Sequence, residues 1–215
     1  MNLAESAVHY QDECLLVIDK PAGLLSVPGR GDDKQDCLIA RVQTRYPDAL
    51  IVHRLDMATS GLMIVARGAP AQRSLSLAFA QRQISKRYIA RVAGHLGEPA
   101  QGWGVIDLPI GADWAERPRQ KIDLLAGKPS LTRWRRLAHS TDGGSTRLEL
   151  APETGRSHQL RVHLLALGHP ILGDRLYASP KVQAMATRLL LHASGLAFRH
   201  PLSKQALQFT SSADF

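Results

Sequence analysis

Short apolar runs broken by glycine and proline dominate this chain. Cys14 to Ile18 (CLLVI) predicts a strand closed by Lys20-Pro21, and Leu24 to Gly31 (LLSVPGRG) predicts a loop. Asp36 is placed to cap a helix running through Tyr46 to the stop at Pro47. Gly61 to Ala66 (GLMIVA) predicts a buried strand. Pro70 to Arg82 predicts a helix with Pro70 in its first turn and Leu75, Ala78 and Phe79 on one face. Ile84 to Val92 alternates as a strand does, and residues 102 to 118, rich in Gly, Pro and Trp, predict an irregular arm. Further strands are expected over Gln120–Leu125, Ser130–Leu137, Thr146–Ala151, Arg188–Phe198 and Ala206–Thr210. Between them Ser157 is placed to open a helix through Leu167, stopped by Gly168 and Pro170. Strands linked mostly by turns predict an α+β fold with a mixed, mostly antiparallel central sheet and flanking helices and loops, not a doubly wound one.

Composition narrows this picture. At 215 residues and 44% hydrophobic, the chain is long enough to bury a real core. Its 27 Lys and Arg against 19 Asp and Glu give a net charge of +8, which attracts polyanions, nucleic acid first among them. Cys14 and Cys37 lack metal-ligand spacing and fit a reducing compartment. No secretory signal or membrane-length apolar stretch is visible, so the expectation is a cytoplasmic protein. Neither GxGxxG nor GxxxxGK[ST] occurs, so no nucleotide cradle is indicated.

Three segments carry candidate chemistry. His53-Arg54-Leu55-Asp56-Met57-Ala58-Thr59-Ser60-Gly61 sets an acid between apolar residues, beside an arginine, at the entrance of a strand. Asp56 suits catalysis, and it equally suits a turn satisfied by Thr59 and Ser60. In Thr154-Gly155-Arg156-Ser157-His158-Gln159-Leu160-Arg161-Val162-His163, His158 and Arg161 are expected on one helix face. Arg161 there opposes the helix dipole and needs an anion, or water if it faces solvent. On a strand, Lys86 and Tyr88 share a face that suits base stacking beside phosphate, and Arg87 takes the other. Arg117, Arg119 and Lys121, and the Arg133-Trp134-Arg135-Arg136 run, suit contact with an RNA backbone, or are simply solvated faces.

Taken together, HRLDMATSGL, the Lys86-Arg87-Tyr88 element, GRSHQLRVH and Leu191-His192-Ala193 resemble, in order and spacing, the signatures of the RluA family of pseudouridine synthases. Ser157 stands where the family commonly has Thr, and Leu160 where it has Ile. LLSVPGR, the stretch from Asp107 to Lys121 and ALGHPILGDRLYASP are similar to a subgroup that modifies both a large-subunit ribosomal RNA loop and the anticodon stem-loop of some tRNAs.

The resemblance implies a pseudouridine synthase fold and an enzyme that isomerises uridine in structured RNA without cofactor or metal. It also implies an extension over residues 1–11 and one catalytic domain over 12–215, without the separate N-terminal RNA-binding module of about 60 residues that several relatives carry. Asp56 would be the catalytic carboxylate, paired with Arg161. Tyr88 would stack on a flipped-out uracil, Arg54 would occupy the vacated place, and Leu191 would pack against the base. His53, Lys86, Arg87, Arg117, Arg119, Lys121, Arg156 and His158 are the expected RNA contacts, and the expected state is a monomer. Two rivals remain at this point. One is a non-catalytic RNA-binding ribosome assembly factor. The other is a carboxylate hydrolase, with Glu153 or Asp174 as its second acid.

Overall fold

The computed structural model describes residues 7–215, apart from the side chain of Asp33. Its elements in chain order are β1 (Val8–Gln11), β2 (Leu15–Lys20), α1 (Leu38–Gln43), β3 (Ala49–Ile51), β4 (Ser60–Arg67), α2 (Gly68–Ala80), β5 (Ser85–Ala93), β6 (Gly104–Asp107), β7 (Ile110–Ala112), β8 (Gln120–Ile122), β9 (Leu131–His139), β10 (Ser145–Pro152), α3 (Gln159–Ala166), α4 (Pro180–Gln183), β11 (Leu191–Arg199) and β12 (Ala206–Thr210). The fold is α+β, with mostly antiparallel strands and few helices. Among the described residues no helix is long and apolar enough to cross a membrane.

The chain forms two compact units, Met1–Ser85 with Ala193–Ala213, and Lys86–His192 with Asp214–Phe215. In the first, the strands run β1-β2-β4-β11, with β3 on β4 and β12 on β11. Leu15 to Ile18 and Leu62 to Ala66 are fully buried, because β2 and β4 are covered on both faces and read as continuous apolar runs. One face of these strands packs Leu15, Val17, Leu62 and Ile64 against Ala71 and Leu75 of α2 and Leu196 and Phe198 of β11.

In the second unit the order is β5-β10-β9-β6, and β7 pairs with β8. Here burial alternates. Ala90 and Val92 of β5, Leu148 and Leu150 of β10 and Trp134 of β9 are buried, while Arg133 and Arg135 are exposed. Beside them lies a smaller cluster of Ile110, Val162 and Tyr177.

Several expected ends move. α1 begins at Leu38 with Cys37 at its cap position and ends at Gln43. Asp36 caps nothing and binds Arg41 at 2.6 and 2.7 Å instead. The arm over 102–118 contains β6 and β7, and β3 was not foreseen. Of the expected extension, residues 1–6 lie outside the described residues, and Val8–Gln11 is β1, antiparallel to β2. Trp134, expected beside arginines on an RNA face, turns inward over Gly104.

Candidate active site

The loop from Val52 to Thr59 joins β3 to β4, and a second loop over residues 20–26 grips it on both sides of Asp56. Ser26 Oγ donates to the Leu55 carbonyl at 2.7 Å and accepts the Leu55 N–H at 3.1 Å. The Met57 carbonyl accepts the Gly23 N–H at 2.8 Å and the Lys20 ammonium at 3.2 Å. The peptides flanking Asp56 are thereby fixed, and the carboxylate between them is half-buried.

Lys20 was not singled out from the sequence. Its side chain is fully buried, and Nζ also donates to the Pro21 and Leu24 carbonyls, both at 2.8 Å. Three carbonyls for three N–H groups suit an ammonium ion. Burial pushes the Lys20 pKa down to about 8, while the charges of Asp56 and Asp19 act to raise it. The acid and the buried amine are thus near enough to feel one another. Nothing in the local pattern distinguishes Lys20 from a strand-end lysine, because its partners come from two loops.

Gly61 ends the signature with φ +110°, and a Cβ there would come within 2.4 Å of the Ala193 carbonyl oxygen. Only glycine admits both that backbone and the neighbouring strand. His53, expected to touch RNA, has a packing role: Nε2 accepts the Ile64 N–H at 2.9 Å and the ring stacks on Phe79 at 4.4 Å. Arg54 is exposed.

In the second unit the segment 154–163 folds differently from the expectation. Ser157 does not cap the helix. α3 starts at Gln159, and His158 at its cap position adopts a left-handed φ of 55°. The turn is organised by Gln159, whose Oε1 accepts the Thr154 hydroxyl at 2.7 Å and the Arg156 N–H at 3.0 Å, while Nε2 donates to the Leu131 carbonyl at 3.0 Å.

Arg161 points inward, 5% exposed, onto Asp174, 1% exposed. Its Nε and Nη2 meet the two Asp174 oxygens at 2.8 and 2.6 Å. Asp174 Oδ1 also accepts the Leu176 and Tyr177 N–H groups. A buried ion pair of this completeness escapes the cost of a lone buried charge. It also occupies the acid that a hydrolase would need. Glu153, the other candidate, lies in a half-exposed pair with Arg133 at 2.6 Å.

Tyr177, likewise not singled out, gathers several expected residues. The guanidiniums of Arg161 and Arg119 lie 5.0 and 5.4 Å from its ring centroid. Its hydroxyl bonds His158 Nδ1 at 2.7 Å and accepts the Gln120 N–H at 2.8 Å. His158 and Arg161 therefore meet at one tyrosine without sharing a helix face. Lys86 Nζ donates to the Thr154 carbonyl at 3.2 Å. Tyr88 is half-buried and Leu191 buried. Arg117 lies over the exposed Trp114 ring at 3.6 Å, and Lys121 and Arg156 are exposed. Arg87 departs from Lys86 and Tyr88 to the other face of β5, toward Glu149 and Trp103.

Asp12, Cys14 and His200 place ligand-type atoms within 4.8 Å of one another. His200 Nδ1 accepts the Ser203 N–H at 3.0 Å, so its proton sits on Nε2, toward Asp12 at 2.9 Å. Burial pushes the Cys14 thiol pKa up. The group holds protons where a metal needs lone pairs, and it reads as a structural clasp.

Comparison with known proteins gives the family. The model of the RNA pseudouridylate synthase family matches residues 14–166, which include both signatures. The chain belongs to that family. As a family member, it isomerises uridine to pseudouridine in RNA. It is 50% identical over 206 residues to the dual-specificity RNA pseudouridine synthase RluA of Escherichia coli K12, covering 96% of this chain and 92% of that one. To the protein of the same description from Yersinia pestis it is 51% identical over 208 residues, covering 97% and 99%. Among solved structures, human RNA pseudouridylate synthase domain containing 1 is similar with a TM-score of 0.79 and 29% identity, over 99% of this chain and 86% of that one.

Proposed function

We propose that this synthase acts on two RNA classes, a 23S ribosomal RNA loop and the anticodon stem-loop of tRNA, with Asp56 as its catalytic carboxylate. The description of its relatives as dual-specificity enzymes supports the first part. The clamp that residues 20–26 place on Leu55 and Met57 supports the second, because a reacting group must be held by its neighbours to act at a fixed distance.

The reaction breaks the N1–C1′ bond of uridine, turns the uracil and joins C5 to C1′. It calls for a carboxylate serving as nucleophile or base, held in a site poor in water. The remaining roles follow the family motifs. Arg161, besides its pair with Asp174, is the partner those motifs give Asp56. Tyr88 stacks on the flipped uracil, Arg54 takes its place in the RNA, and Leu191 packs against the base. Arg117, Lys121 and Arg156 meet phosphates. Residues 12–215 work as one catalytic domain, as a monomer, in the cytoplasm.

The test is tritium release from RNA labelled at uracil C5. Wild-type protein releases it in step with pseudouridine formation. Asp56→Asn binds the RNA and releases none, and Arg161→Met loses turnover. Wild-type rates in Asp56→Asn would refute the catalytic assignment. RNA binding without release by the wild type would mark a binding protein instead.

A further inference from the structure

The second unit's sheet turns one face, with the buried Leu148 and Leu150 and the half-buried Tyr88, away from a set of arginines the reaction does not use. Side chains alternate along a strand, so Arg87, Ile89 and Arg91 leave β5 opposite to Tyr88. On the same face, Arg147 of β10 stands in register with Arg91, and Glu149 with Ile89 on one side and Arg135 of β9 on the other.

Most of these charges are matched. Glu149 binds Arg87 at 3.3 Å and Arg135 at 2.5 Å, and both guanidiniums lie against Trp103. Glu153 takes Arg133. One end of the face is different. Arg91 and Arg147 are directly opposed, and among the described residues the Nε atoms of both are buried without a hydrogen-bond partner. Asp142 feels the charge of Arg91, but its Oδ1 is taken by the Ser140 hydroxyl and the Gly144 N–H. Like charges directly across a strand pair destabilise a sheet, and so do buried donors without acceptors. An anion laid against the outer nitrogens of the two guanidiniums would offset the repulsion between them.

We propose that this face, centred on Arg91 and Arg147, binds the phosphodiester backbone of substrate RNA beyond the stem-loop that delivers the uridine. The inference rests on the reading of the chain as an RNA pseudouridine synthase. Phosphate is an anion that guanidinium forks bind through two hydrogen bonds, and the enzyme's own substrate supplies it in a continuous line. Because Tyr88 projects from the opposite face, a minimal stem-loop seated there leaves the arginines uncovered. Only a longer RNA covers both, so the face serves the larger class of substrate.

The experiment compares wild type with Arg91→Gln/Arg147→Gln on a minimal stem-loop and on a long RNA that contains it, across a salt series. Affinity of the double variant for the long RNA falls roughly tenfold at moderate salt, and its log–log salt slope becomes shallower by about 2. Affinity and tritium release with the minimal stem-loop stay at wild-type values, and the thermal midpoint holds or rises as the repulsion is removed. Unchanged affinity and slope on the long RNA, with normal tritium release, would overturn the surface and leave the enzymatic reading standing. The reverse pattern, a shallower slope in the variant with no tritium release from wild type, would leave the surface standing and overturn the enzymatic reading. Displacement of the long RNA by an equal charge of polyglutamate would point to acidic peptides and overturn the assignment to RNA.

Discussion

Lys20 is the residue on which the Asp56 loop turns. Among the described residues it is a cation without a carboxylate in hydrogen-bond contact, held by three carbonyls and by the nearby charge of Asp56. Its pKa of about 8, against 10.5 for an ordinary lysine, has two consequences of opposite sign. Between those values the unfolded chain binds more protons than the folded one, so this group's contribution to stability rises with pH. Over the same range the folded site loses its ammonium, and with it one of three carbonyl contacts and a positive charge beside the acid. Turnover is therefore expected to decline above pH 8 or so while the urea midpoint does not fall with it. Tritium release and urea melts on one pH series measure both. A rate that holds through the whole lysine range, or a midpoint that drops in parallel, would remove Lys20 from the explanation.

At the scale of elements, the apolar runs were the readable part. CLLVI and GLMIVA became β2 and β4 because continuous apolar strands need cover on both faces, and α2 kept Pro70 in its first turn. Caps were not readable in the same way. Asp36 and Ser157 are both of capping type, yet Asp36 found Arg41, and Gln159 closes the turn where Ser157 was expected to act. A cap depends on a backbone angle that a neighbour far along the chain can change. The anion that Arg161 requires could be deduced from its charge, and the motifs named Asp56 for it, but Asp174, thirteen residues on, was not foreseen as its partner. Tyr177 and Lys20 escaped for the same reason. Gly61 joins the two levels, since the signature residue also admits β11 beside β4. Gly61→Ala must relax a φ of +110° and a 2.4 Å clash with backbone, and is expected to cost about 1–3 kcal/mol or more. Urea denaturation measures it, and a loss below a few tenths would mean that β11 moves aside freely.

For the molecule as a whole, the charge of +8 sets how it meets RNA. Arg54, Arg117, Lys121 and Arg156 are all exposed, and each offers a place to neutralise a phosphate. The wild-type affinity for RNA is expected to fall with salt along a steep straight line in log–log coordinates, losing roughly a thousandfold over a fourfold rise in salt if six phosphates are bound. A slope near zero in filter-binding measurements would mean that shape and stacking, not charge, hold the RNA.

The first unit is assembled from both ends of the chain, Met1–Ser85 and Ala193–Ala213. A ribosome makes these pieces in order, so β4 emerges with the open edge that β11 will later cover and stays uncovered while more than a hundred intervening residues are translated. The nascent protein therefore cannot complete the sheet behind its Asp56 loop until translation is almost over.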